Sequence, residues 1–250
     1  MSHVKKLLPL AVLIVIWVIG SQFIKPMFIP KPLSVINTFI ELCRNGVLLN
    51  SALASFGRIT AATLLSALIS IPLALLIANY KLMDNLITPI TSFMRYIPVT
   101  AFYPLLILWA GIGETMKITF LFAATFFSFL PALVLIIKGI DRDLIDTAYT
   151  IGMSKSDVIF KVQLPYALPS ILQSFLTMYS VGWTYVIIAE VTNARFGLGH
   201  LMYIGSARGM TDMVFASILV VVLISFIFDN LFSHIIKRTF PWKFAREIID

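Results

Sequence analysis

Residues 146–171 read DTAYTIGMSKSDVIFKVQLPYALPSI, a short polar stretch with one glycine near its start and two prolines near its end. It lies in a chain of 250 residues that is 59% hydrophobic and only 12% charged. Soluble domains carry about 25% charged residues, so half that density, spread over long apolar runs, indicates a membrane protein. A polar segment between such runs is therefore expected to lie outside the lipid.

Apolar stretches of about 20 residues can cross the hydrocarbon layer as helices. About six such stretches occur: 7–24, 52–79, 86–109, 117–138, 168–191 and 211–236. No A-x-A cleavage pattern follows the first, so we expect it to be retained rather than removed as a signal peptide. Pro98 and Pro104 should bend the third. The predicted fold class is all-α, a polytopic membrane protein.

Composition excludes several other classes of protein. The net charge of +7 does not indicate nucleic-acid binding, because the basic residues fall largely between the apolar runs. More of them lie on the side that holds both termini, which favours cytoplasmic termini. The single cysteine, Cys43, cannot form an intrachain disulfide, and the three histidines are too scattered to predict a metal site. GIGET at 111–115 lacks the P-loop pattern, so we expect a turn there.

The stretch before residue 165 has the pattern of a helix–glycine–helix hairpin. Asp143 could cap a first amphipathic helix, and Gly152 suits the left-handed position that ends it. Ser154, with Asp157 three residues later, resembles a capping box that starts a second helix. Pro165 is expected to end that second helix. Such a compact, ordered hairpin predicts a rigid docking element on the cytoplasmic face, presented to a soluble partner.

This stretch resembles the cytoplasmic EAA loop of type I ABC importer permeases, in which E-A-A is followed by glycine and L-P-x-x-x-P. The residues at the E-A-A positions are Asp146, Thr147 and Ala148, with Asp and Thr as departures from the pattern. Gly152 keeps the expected spacing to Leu164 and the two prolines. The resemblance implies that residues of this loop, namely Asp146, Thr147, Ala148, Gly152, Met153 and Ser154, contact an ATPase subunit.

Other segments are similar to the nitrate/sulfonate/taurine/bicarbonate branch of that family. They are FIPKP, SALASFGRI, RYIPVTAFYPLLILWAGIGETMKI, GWTYVIIAEVTNARFGLGHLMYIG and RTFPWK. The resemblance implies a homodimeric permease that works with two ABC ATPase subunits and a periplasmic or lipid-anchored substrate-binding protein. ATP and Mg would be bound by the ATPase, so this chain itself is expected to bind no cofactor and to be no enzyme.

Charges and aromatic residues within the apolar stretches suggest a translocation path. A charge at the centre of a span costs about 3 kcal/mol on insertion scales, so Arg95 and Glu190 should face a protein interior or a cavity. Arg95 could attract an anion. A gate could be formed by aromatic residues of these stretches, namely Tyr96, Tyr103, Trp109, Trp183 and Tyr185. The alternatives are a structural ion pair for the charges and an aromatic belt at the membrane interface for the rings.

Together these features predict the permease subunit of an ATP-driven importer in the bacterial inner membrane, working by alternating access. Its substrate would be a small oxyanion or sulfonate, with a vitamin precursor as the alternative. An ion-coupled secondary transporter is less favoured because no internal repeat is evident, and an intramembrane enzyme lacks a catalytic constellation. The expected organisation is a first helix and periplasmic segment at 1–49, a permease core at 50–236 and a cytoplasmic tail at 237–250.

Overall fold

A computed structural model describes residues 3–94, 96–192 and 194–244. In these ranges the chain forms helices and turns and no β-strand. The helices are α1 His3–Phe23, α2 Pro32–Arg44, α3 Val47–Asn79, α4 Lys81–Met94, α5 Tyr103–Ala110, α6 Glu114–Lys138, α7 Arg142–Thr150, α8 Lys155–Asp157, α9 Leu164–Val191, α10 Leu198–Ala207, α11 Thr211–Thr239 and α12 Pro241–Phe244. The predicted all-α class is confirmed.

Four stretches are single helices long and apolar enough to cross a membrane: α3, α6, α11 and the continuous helical run Lys155–Val191. They correspond to four of the six predicted spans. The third predicted span is instead a broken pair, Lys81–Met94 and Val99–Ala110, bent by 85°. Pro98 lies at this break, in an extended conformation before a 3₁₀ turn, as expected for a residue that cannot donate a helical hydrogen bond.

The first predicted span, 7–24, corresponds to α1, His3–Phe23, a helix of 21 residues. The part of α1 with described side chains, Ala11–Phe23, is apolar but shorter than the other spanning helices. The predicted polytopic membrane fold is confirmed, and its spans are long continuous helices except for the third, which is a bent pair. The described chain has four such helices, or five when the bent pair counts as one span.

The chain divides into two compact units, the first comprising residues 1–56 and 187–224. In this unit the Trp17 indole donates to the Pro30 carbonyl at 3.0 Å, and its ring stacks on Phe215 with centroids 5.6 Å apart. The Thr38 hydroxyl donates to Asp212 at 2.7 Å. These contacts hold α2 and the segment before it against the beginning of α11.

The second unit comprises residues 57–186 and 225–250 and contains an extensive hydrophobic core. Residues of α3, α6 and α9 meet there, among them Ile77, Phe129, Leu133 and Ile171, all 2% exposed or less. A second cluster forms around the stacked rings of Tyr179 and Phe228, whose centroids lie 3.8 Å apart. The 141–163 segment is anchored to the first of these cores.

Candidate functional site

The predicted helix–glycine–helix hairpin is present, and its first helix is capped by a different residue from the one expected. Asp141, and not Asp143, is the N-cap of α7, because its carboxylate accepts a hydrogen bond from the Asp143 backbone N–H at 3.1 Å. Asp143 lies in the first turn, where its negative charge is still favourable to the helix dipole. Both acidic residues thus fix where α7 begins.

The turn of the hairpin is built on Gly152, which has a φ of +86°. The Gly152 N–H donates to the Tyr149 carbonyl at 2.9 Å, and the Met153 N–H donates to the Ala148 carbonyl at 3.1 Å. This pair of bonds is the Schellman motif, which satisfies the last carbonyls of a helix and needs a left-handed residue after its C-cap. The predicted role of Gly152 as the end of the helix is confirmed.

The second half of the hairpin begins as predicted but does not end as predicted. The Ser154 hydroxyl accepts from the Asp157 N–H at 3.2 Å, which starts α8. Residues 158–163 then form π-helical turns that run directly into α9. Pro165 lies near the start of α9 and does not terminate the helix. The wider π-helical turns before it accommodate a ring that would clash with a tighter turn.

The hairpin exposes apolar side chains as well as polar ones. Ala148 is 5% exposed and packs inward, whereas Asp146, Thr147 and Ser154 lie on the surface. The large apolar residues left uncovered are Leu144, Tyr149, Ile151 and Phe160, exposed at 37%, 44%, 74% and 60%. Exposed apolar side chains on a polar, well-ordered element are typical of a protein-interaction surface.

Several contacts hold the hairpin against the helices of its own unit. Ile140 and Ile159 are buried in the main core, and Ile145 packs against it. The Lys155 ammonium lies 3.8 Å from the centre of the Tyr80 ring, a favourable cation–π contact. The Asn79 amide donates to Gln163 at 2.7 Å. A force on residues 141–163 would therefore be transmitted directly to α3 and α9.

The residues predicted to form the translocation path have different surroundings. Arg95 lies outside the described residues. Tyr96 is 80% exposed. Tyr103 is half-buried and meets Phe120 edge to face at 5.1 Å, and Phe120 in turn meets Tyr185 at 6.0 Å. A gate role for Tyr96 and Tyr103 stays a prediction.

Trp183 and Glu190 are buried, with exposures of 3% and 0%. The Glu190 carboxylate accepts hydrogen bonds from the Ser55 hydroxyl at 2.8 Å and from the Gly199 N–H at 2.9 Å. Gly199 is in the first turn of α10, where the helix dipole favours a negative charge. This environment favours a structural role for Glu190, in which its hydrogen bonds connect α3, α9 and α10 within the first unit.

Gly197 makes the Glu190 contact possible. Its φ is +154°, and a Cβ atom built at this position would overlap the Glu190 carboxylate. The sequence signal for this arrangement is FGLGH at 196–200, in which closely spaced glycines follow a glutamate at the end of an apolar helix. The family resemblance covers this segment without giving a structural reason for its glycines.

One ion network was not predicted from the sequence. Arg58 binds both carboxylate oxygens of Glu114, with Nε–Oε2 and Nη2–Oε1 distances of 2.6 and 2.8 Å. Lys117, only 2% exposed, donates to the same carboxylate at 3.0 Å. Glu114 is the fourth residue of GIGET and the first of α6, so this network fixes the beginning of α6 against α3. A bidentate arginine contact of this kind is specific in geometry.

Two remaining motifs have simple structural outcomes. Gly111 adopts a φ of +71° and Gly113 is the N-cap of α6, so GIGET forms the predicted turn. Across residues 3–94, 96–192 and 194–244, no group of three histidine, cysteine, aspartate or glutamate side chains is placed to hold a metal ion.

Residues 70–241, which include the hairpin and the helices around it, match the family described as binding-protein-dependent transport system inner membrane component. The chain belongs to this family of ABC importer permeases. The resemblance noted at residues 146–171 is thereby confirmed, and so is the type of protein: a multi-pass inner-membrane transport component rather than an enzyme.

Three curated relatives cover nearly the whole chain. The taurine transport system permease protein TauC of Escherichia coli is 30% identical over 93% of this chain and 87% of its own length. The aliphatic sulfonates transport permease SsuC of Bacillus subtilis is 27% identical over 97% and 89%. The riboflavin transport system permease RibX of Chloroflexus aurantiacus is 29% identical over 86% and 81%.

The fold is shared with a solved transporter. The inward-facing MetNI methionine ABC transporter aligns with a TM-score of 0.68, covering 77% of this chain and 95% of the matched chain. At 17% sequence identity this likeness concerns the fold alone. The helices described above therefore form a type I ABC importer permease fold.

Proposed function

We propose that two copies of this chain form the transmembrane part of an ATP-driven importer, each binding one ATPase subunit through residues 141–163. The observation that carries the proposal is the hairpin itself. It is ordered by two side-chain caps and a Schellman motif, it exposes apolar residues, and it is anchored in the core that joins α3, α6 and α9. When the ATPase pair closes on ATP, it would move the two hairpins, and the translocation path would open to the other side of the membrane.

Under this proposal ATP and Mg are bound by the ATPase subunits, and a periplasmic or lipid-anchored binding protein delivers the solute. The exposed apolar side chains of α3 and α11, such as Leu68 and Phe226, face lipid or the second copy. Among the described spanning helices α11 is the least covered by the rest of the chain. In its apolar 18-residue stretch 17% is buried, whereas the corresponding share is 39–50% in the other spanning helices. It therefore has the most surface available for such contacts.

The proposed substrate is a small sulfonate. Its support is the similarity to TauC and SsuC over more than nine-tenths of this chain. The similarity to RibX supports the alternative of a vitamin or vitamin precursor. Uptake assays with the purified binding protein of the same system, using taurine and riboflavin as probes, separate the two.

The test of the docking role uses Gly152, at which a side chain has space but the backbone conformation is unfavourable. In Gly152→Val the left-handed conformation is strained by about 1–3 kcal/mol, which should distort the turn. We expect uptake into proteoliposomes to fall about tenfold while the permease stays in the membrane and ATP hydrolysis by the complex persists. The matched variant Gly152→Asn tolerates the same φ and should transport within about twofold of the wild type.

Normal uptake by Gly152→Val, together with normal co-purification of the ATPase, would contradict the docking role. Weak uptake by Gly152→Asn as well as Gly152→Val would show that the loss does not come from backbone strain. The two variants share solvent exposure and differ chiefly in how readily they adopt a positive φ, so the comparison isolates the turn.

The proposed orientation places both termini and the hairpin in the cytoplasm. Single cysteines introduced in place of Ser154, Gly111 and Thr192 in a Cys43→Ser background report on it. An impermeant maleimide added outside intact cells should label positions 111 and 192 and leave position 154 unlabelled until the membrane is opened. The reverse pattern would overturn both the orientation and the docking role of the hairpin.

A further inference from the structure

Helix α9 carries a line of polar side chains that the packing of the second unit leaves uncovered. Gln173, Thr177, Ser180 and Thr184 are all exposed, and they recur at the three- and four-residue spacing that places them on one face of a helix. The line extends about 16 Å along a helix of the membrane-spanning class. Polar side chains on such a helix are disfavoured against lipid, so this face requires a polar environment.

A cavity of about 640 Å³ lies against this face. Apart from Leu176, its lining is polar: Gln173, Ser174, Thr177 and Ser180 of α9, and Asp229 and Ser233 of α11. Asp229 is exposed and lies about 15 Å from the C-terminal end of α11, well inside a spanning helix. In the part of the chain that the structure describes, no basic side chain forms an ion pair with it.

The hydrogen-bonding capacity of the lining is biased toward acceptors. The Thr177 hydroxyl donates to the Gln173 carbonyl and the Ser180 hydroxyl donates to the Leu176 carbonyl, both at 3.2 Å. Since each hydroxyl has one proton, these two oxygens present only lone pairs to the cavity. The Asp229 carboxylate is likewise an acceptor when ionised. A solute that enters is met by these acceptors and one negative charge, and also by the amide donors of Gln173 and the hydroxyls of Ser174 and Ser233.

We propose that this cavity receives a positively charged, hydrogen-bond-donating group of the transported solute, and that Asp229 is its specificity-determining residue. The proposal rests on the proposed transport function and narrows its substrate class. A bare oxyanion offers only acceptors and would be repelled by the carboxylate. An aminosulfonate carries an ammonium group with three donors, which fits three acceptors around the cavity. The sulfonate of such a zwitterion would be bound elsewhere.

The charge preference can be measured without knowing the solute. The variant Thr177→Cys, in a Cys43→Ser background, is treated in membranes with two methanethiosulfonate reagents of similar size, one with a trimethylammonium group and one with a sulfonate. The measured quantity is the ratio of the modification rates by the cationic and the anionic reagent. This ratio should be at least about fivefold higher for Thr177→Cys than for Ser154→Cys. Asp229→Asn should remove this preference, and Asp229→Glu should retain it.

The same preference with and without the Asp229→Asn substitution would overturn the proposal. So would failure of both reagents to reach position 177, because the face would then be covered by lipid or by the second copy. Uptake of taurine by proteoliposomes with the ATPase and binding protein gives the second measurement. Asp229→Asn should lower it about tenfold more than Asp229→Glu, with assembly unchanged; normal uptake by the Asp229→Asn variant contradicts a role in selection.

These results separate the inference from the function on which it rests. If the wild-type complex moves no solute but the Thr177→Cys variant with Asp229 intact shows the charge preference, the importer proposal fails and the cation-attracting cavity stands. If the wild type transports and the preference is absent, the importer proposal stands and the role of Asp229 falls.

Discussion

Helix α9 contains two polar regions whose surroundings are opposite. At its C-terminal end Glu190 is completely buried and accepts hydrogen bonds from Ser55 and Gly199. In its middle Gln173, Thr177 and Ser180 are exposed and line a cavity. The charged residue, Glu190, therefore has its hydrogen-bond donors supplied by the fold, whereas the neutral residues face open space.

The difference shows why an intramembrane charge alone does not identify a transport site. A buried carboxylate that receives donors from the fold is stabilised as a structural contact. The uncovered hydroxyls of Thr177 and Ser180 donate within their own helix, but their oxygens can still accept hydrogen bonds, and a solute or water can supply the donors. Glu190 is thus expected to control folding, whereas the Gln173–Ser180 face is expected to control transport.

The largest effect is expected from Glu190→Ala. The change removes the acceptor of two buried donors, the Ser55 hydroxyl and the Gly199 N–H, each of which costs about 1–3 kcal/mol when left unpaired. We expect little monodisperse protein in size-exclusion chromatography of detergent extracts, and a clearly lower Tm. If Glu190→Ala folds with the wild-type Tm and loses uptake alone, Glu190 belongs to the translocation path, as the sequence pattern predicts.

A smaller effect on the same contact is expected from Gly197→Ala. The new Cβ would overlap the Glu190 carboxylate, and a φ of +154° is unfavourable for alanine. Strain of about 1–3 kcal/mol should lower the Tm without abolishing folding. The control is Gly113→Ala, where the backbone is extended and no atom lies within 4 Å of the added Cβ. Equal Tm values for the two variants would show that the close approach at Gly197 is unimportant.

The smallest effect is expected from Thr177→Val, on the exposed side of the comparison. The volume is preserved and no buried group loses a partner, so the Tm should stay unchanged. Loss of one acceptor facing the cavity should lower uptake about fivefold, the equivalent of a hydrogen bond of about 1 kcal/mol. Thr63→Val is the matched control: Thr63 is buried in α3 and its hydroxyl donates to Ile59, so its uptake should be normal. Reduced uptake in both variants would remove the distinction between the two faces.

Much of the hairpin could be predicted because its signals are local. A glycine after an amphipathic helix predicts a left-handed C-cap, and Ser154 three residues before Asp157 predicts an N-cap, since both depend on contacts within a few residues. The errors are also local. Asp141 and Asp143 are both good caps, and the sequence does not distinguish them. A proline predicts a helix end unless a π-helical turn precedes it, and nothing in residues 158–163 signalled that turn.

The sequence by itself determined the class of protein, the positions of its long continuous spanning helices and the helix–glycine–helix hairpin. Hydropathy, helix caps and glycine positions are properties of consecutive residues, and they act before distant segments meet. Only the tertiary structure decided which polar groups are paired. The paired residues Arg58 and Glu114, and Ser55 and Glu190, are far apart along the chain. So are Thr177 and Asp229, which line one cavity without being paired. Whether a polar residue within a span is a structural tie or faces an open cavity depends on the segments that fold against it, because burial and hydrogen-bond partners are supplied by those segments.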